Sequence, residues 1–134
     1  MITEDYVSFE TAKLLREKGL NGLCTAYYDC FTTDNFHCGN EPTDFNSIDT
    51  KIRNIVAAPT LQMAMKWLRE VHSINPVPYA LSLGWAFEVF DLSNRDITGC
   101  KKLYSMDFPS KSEVYNTYEK ACDAAIKYCL ENLI

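Results

Sequence analysis

The stretch Ala58-Pro59-Thr60-Leu61-Gln62-Met63-Ala64-Met65-Lys66-Trp67-Leu68-Arg69 decides the reading of this chain. Pro59 suits the first turn of a helix, where its missing donor would be unpaired anyway. Leu61, Met65, Leu68 and Trp67, with Ala64 and Val71, recur at helical spacing and predict a broad buried stripe over residues 59–72. Asn75-Pro76-Val77-Pro78 follows and ends the element, because proline cannot continue a helix.

Downstream, Tyr79-Ala80-Leu81-Ser82-Leu83 and Trp85-Ala86-Phe87-Glu88-Val89-Phe90 flank Gly84 and read as two strands joined by a turn. Trp85, Phe87 and Val89 alternate onto one face and Glu88 onto the other, the pattern of a sheet with one wet side. Cys100–Tyr104 suits a third strand. Thr117–Leu133 suits a closing helix, with Tyr118, Cys122, Ala125, Cys129 and Leu133 on one face. The expected core is Trp67, Leu68, Met65, Trp85, Phe87, Val89, Ile126 and Leu133.

Upstream, residues 6–20 read as a first helix, capped by Ser8 and stopped by Gly19. Leu23–Tyr28 is rich in strand formers. Residues 29–50 are polar and full of turn formers, and hold either hidden short strands or a functional loop. Ile48, Ile52, Ile55 and Val56 fit a helical turn or a strand equally well. The predicted fold class is α+β: one domain, residues 1–134, with a small antiparallel sheet of three to five strands and helices on one face.

The chain has 134 residues and a net charge of −5. Residues 1–58 carry nine acids against five bases, and residues 59–134 nine against eight. Phosphate binding draws on clustered Lys and Arg, so nucleic acid is disfavoured as a partner. No run approaches the roughly 20 apolar residues of a membrane helix. The acidic start, Met1-Ile2-Thr3-Glu4-Asp5, argues against a secretory signal. The expectation is a cytoplasmic protein whose six cysteines are reduced thiols.

Candidate chemistry is sparse. Cys24, Cys30, His37 and Cys38 lie close in sequence but lack the tight knuckle spacing of a zinc site. Cys122 and Cys129 fit an apolar helical face as small hydrophobes. His72 closes the second helix, where the carbonyl dipole favours a cation. The carboxylate pairs Glu4-Asp5, Asp44 with Asp49 and Glu88 with Asp91 sit in polar surroundings. No catalytic residue, cofactor or metal ligand is therefore nominated. The candidate interaction surface is aromatic: Tyr27, Tyr28, Phe31, Phe36 and Phe45. These rings either form an interface or simply cover the sheet. A protein partner is expected, and a homo-oligomer is left open.

Tyr6-Val7-Ser8-Phe9-Glu10-Thr11-Ala12-Lys13-Leu14-Leu15 and Lys66-Trp67-Leu68-Arg69-Glu70 resemble the two helices of excisionase-type winged-helix regulators. That resemblance implies the alternative of a DNA-binding regulator, although some forty residues separate the two segments. From Thr60 onward the order helix, three strands, helix resembles the double-stranded-RNA-binding domain. Its phosphate-holding lysines are matched here by Tyr118-Glu119-Lys120-Ala121-Cys122-Asp123, with two acids and one base.

Four motifs across most of the chain resemble a family of short uncharacterised proteins from phages, prophages and mobile elements of gut anaerobes. They are the opening Y-V-S-F-E-x-A-K-L-L-x-E-K-G, the central A-P-T-x-x-x-A-x-K-W-L-R-E-x-H, the strand W-x-F-E-V-F and the closing Y-E-x-A-x-x-A-I-K-Y-x-L-E-N-L-I. The likeness implies a cytoplasmic accessory protein of such elements and supplies no mechanism.

Overall fold

Helix α1 (Phe9–Glu17) begins where the sequence places its cap: the Ser8 side chain accepts from the Thr11 amide at 3.3 Å. It ends at Lys18, and Gly19 follows at φ +95°, a conformation that favours glycine. The computed structural model describes residues 2–31, 35–47 and 54–134. The chain is α+β, and it divides into two compact units, residues 1–63 and 64–134. Each unit carries its own three-stranded antiparallel sheet.

In the first unit the sheet order is β2-β1-β3, with β1 at Cys24–Asp29, β2 at Asn35–Thr43 and β3 at Ile55–Ala57. Strand β2 lies inside the polar segment 29–50, so that segment does hide a strand. Turn formers concealed it, because β2 is an edge strand exposed along most of its length and has no apolar alternation to reveal it. Ile55 and Val56 belong to a strand, while Ile48 and Ile52 lie outside the described residues. All three residues of β3 are buried. The Arg16 guanidinium of α1 donates to the Ile55 carbonyl at 3.2 Å.

A 3₁₀ turn at Phe45–Ser47 is tied down by Asn46. Its side-chain amide donates to the Leu20 carbonyl at 2.8 Å, and its oxygen accepts from the Ala57 amide at 3.0 Å. The N-terminal residues run beside the start of the next helix: Val7 N–H donates to Pro59 O at 3.1 Å, and Leu61 N–H to Asp5 O at 2.9 Å.

Helix α2 (Leu61–His72) starts two residues later than its proline suggests. Thr60 is the reason, since its hydroxyl accepts from the Met63 amide at 3.1 Å and so caps the first turn. Leu61, Ala64, Met65 and Leu68 are buried, within an arc of about 100° around the axis. Trp67 and Val71 fall on the flank of that arc. Trp67 is therefore half-buried and Val71 is 60% exposed, against the sequence expectation for both.

In the second unit the order is β4-β5-β6, with β4 at Ile74–Leu81, β5 at Gly84–Asp96 and β6 at Gly99–Ser105. The prolines at 76 and 78 sit within β4 and do not merely end α2; Ser73 does that, at φ +56°. A proline cannot donate, so these nitrogens face the open edge and the donors that remain face β5. An edge stripped of donors in this way is a poor template for another strand.

Helix α3 (Tyr118–Asn132), capped by the Thr117 hydroxyl at 3.1 Å from the Lys120 amide, covers the apolar face of β4 and β5. Trp85 meets Tyr118 edge-on at 5.3 Å, and Phe87 lies 6.1 Å from Tyr128. Glu88, on the opposite face, pairs with Lys102 at 3.3 Å and accepts from Ser105 at 3.4 Å. Met65, Leu68, Phe87, Val89 and Ile126 are buried as expected, each contributing about 1.5–3 kcal/mol. Trp85 and Leu133 are half-buried, one near a turn and one at the last turn of a helix, where packing runs out.

Candidate interaction surfaces

Strand alternation divides the five aromatic candidates. Tyr27 and Tyr28 are neighbours on β1 and point to opposite faces. On one face Tyr27 stacks on His37 at 5.0 Å and meets Phe45 at 4.8 Å. On the other, Tyr28 lies 5.4 Å from both Phe36 and Phe9, and Phe36 lies 5.1 Å from Tyr6. The Tyr28 hydroxyl donates to the Val7 carbonyl at 2.7 Å, so this ring holds the N-terminal segment in place. Phe36 and Phe31 are the exposed members, at 39% and 73%. Phe31 lies two residues past the end of β1 and meets no other ring among the described residues. Among the described residues the set is thus two small clusters and one separate ring.

The sulfur and imidazole groups are dispersed in the same way. His37 packs on Tyr27, while Cys38 turns to the other face and meets the Tyr6 hydroxyl at 3.4 Å. That hydrogen bond raises the Tyr6 hydroxyl above the ordinary phenol range. Among the described residues no three His, Cys, Asp or Glu side chains converge as a metal site would require. Burial pushes the Cys122 thiol up to about 11 and the Cys129 thiol to about 12, and raises Cys24 as well. These are packed, protonated thiols, far from the thiolate that nucleophilic chemistry uses. The Ser93 hydroxyl and amide lower Asp91, and the Thr98 hydroxyl and amide lower Asp96. Both carboxyls are turn acceptors held ionised.

A second surface, in the other unit, escaped the sequence reading. Ser105 pairs with Glu88 of β5, and Tyr115 bridges to Trp85 of the same strand. The chain between them leaves the sheet and returns beside its point of departure, the geometry of an Ω-loop. The loop has its own scaffold. Ser110 donates from both hydroxyl and amide to the Glu113 carboxylate, at 2.8 and 3.2 Å, and Glu113 N–H returns a bond to Ser110 O at 3.0 Å. The Ser110 hydroxyl, and then its amide, hold the Glu113 carboxyl below its usual range.

Phe108 stands in this loop with φ +48° and is 100% exposed. The left-handed region costs a bulky L-residue roughly 1–2 kcal/mol, and here no burial offsets it. The signal was present as Asp107-Phe108-Pro109-Ser110, an aromatic inside a polar turn sequence, but only backbone geometry shows the strain.

Comparison with models of protein families, with curated proteins and with solved structures finds no match to the chain. Among the described residues no helix is long and apolar enough to cross a membrane.

Proposed function

We propose that the chain is a non-catalytic protein-interaction module that works in the cytoplasm as an accessory protein of a phage or mobile element. The observation supporting the interaction reading is Phe108: a bulky ring, fully exposed, on a left-handed backbone, in a loop braced by its own hydrogen bonds. Strain at an exposed aromatic disfavours the free protein, and such outliers gather at functional positions. Interfaces draw most of their energy from a few aromatic anchors. Phe36 and Phe31 supply a lesser aromatic surface in the first unit. The duplex-binding alternative finds little support in α2, whose exposed positions include Gln62, Met63, Lys66 and Glu70, with Lys66 paired to Glu70 at 3.8 Å.

The test is a photo-reactive phenylalanine placed at position 108, and at the equally exposed Ile97 as a control, in the full chain expressed in its native host. A discrete protein adduct from position 108 is expected, competed by excess wild-type chain and not by the Phe108→Ala chain. Adducts shared with position 97, or adducts to lipid or DNA alone, reject the reading. The accessory role fails if the gene occurs away from phage and mobile-element genes.

A further inference from the structure

The junction between α1 and β1 contains Asn21-Gly22, exposed to solvent. Gly22 has φ +116°, and a Cβ built there would meet nothing within 4 Å. An asparagine followed by glycine is the dipeptide most open to intramolecular attack, because no side chain shields the following amide nitrogen. The structure also places a restraint on that nitrogen. Gly22 N–H donates to the Asp44 carboxylate at 3.3 Å, one residue after β2. Two residues further on, the Asn46 side chain holds the Leu20 carbonyl at 2.8 Å. Segment 44–46 therefore clamps the junction on both sides of Asn21.

We propose that Asn21 is a site of spontaneous covalent modification, converting to aspartate and isoaspartate, and that Asp44 slows the conversion. The Gly22 nitrogen attacks the Asn21 side-chain carbonyl carbon. The N–Cγ bond forms, the Cγ–Nδ2 bond breaks, and ammonia departs carrying the proton that the Gly22 amide gives up. Water then opens the succinimide ring. Cleavage at the former side-chain carbonyl yields aspartate; cleavage at the main-chain carbonyl yields isoaspartate, with one extra methylene in the backbone.

Attack requires the amide nitrogen to shed its proton. A carboxylate that accepts that N–H, and sets a negative charge beside the nitrogen that would become anionic, opposes the step. Either product adds a carboxylate next to Asp44, and the two repel. The product thus loosens the clamp that formed its own barrier, and the junction between α1 and β1 is released from the 3₁₀ turn.

The experiment incubates the full native chain at mildly alkaline pH and reads each asparagine by peptide mass spectrometry, with isoaspartate resolved from aspartate. Acid is expected at residue 21 ahead of Asn40 and Asn94, whose following residues, Glu41 and Arg95, shield the attacking nitrogen. Asp44→Ala and Asp44→Asn, each checked for folding by circular dichroism, are expected to convert several-fold faster than wild type. Wild type unfolded in urea sets the unrestrained rate, and should also outpace the native chain. Retention of the amide at residue 21 while Asn40 or Asn94 converts overturns the site. Equal rates for native and unfolded wild type, or folded Asp44 variants no faster than wild type, overturn the restraint.

Discussion

Trp85 and Tyr115 exchange both of their backbone hydrogen bonds, each 2.8 Å long. This single pair takes over the edge of β5 where β6 stops, and closes the neck of the loop that carries Phe108. The neighbouring Gly84 makes the closure possible. A Cβ at that position would lie 2.7 Å from Tyr115 O and 2.9 Å from Val114 Cγ2.

Gly84→Ala should therefore cost roughly 2–4 kcal/mol, from strain at φ +150° plus overpacking. Chemical denaturation reads the loss. Hydrogen exchange at the Tyr115 amide should rise with it, and unchanged stability would rule out the close approach.

Phe108→Gly removes the left-handed penalty and sacrifices no buried surface. Against the extra freedom glycine has in the unfolded chain, the net should be neutral to about 1 kcal/mol stabilising. Added in excess to the cross-linking assay, the Phe108→Gly chain should fail to compete for the adduct formed from position 108. Destabilisation beyond about 1 kcal/mol would show that the ring packs somewhere after all.

The Trp67 and His72 rings meet edge-on at 4.7 Å, and the His72 Nε2 atom is buried with no hydrogen-bond partner among the described residues. His72→Phe keeps an aromatic contact and deletes the orphaned nitrogen. It should raise stability by about 1–2 kcal/mol, visible as a higher melting temperature. A lower melting temperature would mean that the nitrogen has a partner in solution.

Cys122 and Cys129 should stay unreactive to an aqueous thiol reagent in the native chain, while the exposed Cys38 reacts first. Their thiols are raised from 9.0 to about 11 and about 12, so the folded state holds protons that the unfolded state releases. Their contribution to stability is complete below pH 9 and fades as pH climbs to about 12. Replacing both with alanine should flatten that part of the alkaline stability curve, and an unaltered slope would refute the assignment.

Tyr28→Phe removes only the hydroxyl that holds the Val7 carbonyl at 2.7 Å. A loss of about 1 kcal/mol is expected in denaturation, because the Val7 carbonyl loses that donor. No change would return Tyr28 to the pool of purely surface rings.

Local chemistry wrote much of this fold into the chain. Ser8 and Thr117 cap their helices, Gly19 stops the first, and the alternation of Trp85, Phe87 and Val89 marks the sheet face that α3 covers. Each of these is a property of a few adjacent residues: a side-chain oxygen within reach of an amide, a missing Cβ, a period of two. The α+β class follows from their sum. Helical angle alone does not say where the buried arc of α2 ends, so the spacing puts Trp67 and Val71 deeper than the structure does.

Long-range pairing decided the rest. The strand inside the polar segment exists because β1 supplies a partner for Asn35–Cys38, and isolated composition cannot reveal a partner. The aromatic candidates divide because register sets Tyr27 against His37 and Tyr28 against Phe36. Phe108 is exposed because Ser105 and Tyr115 both return to β5, and Asn21-Gly22 is restrained because Asp44 arrives from the far side of β2. Capping and periodicity act over a handful of bonds and can be read along the chain. Register, strain and restraint arise only when segments tens of residues apart share the same space.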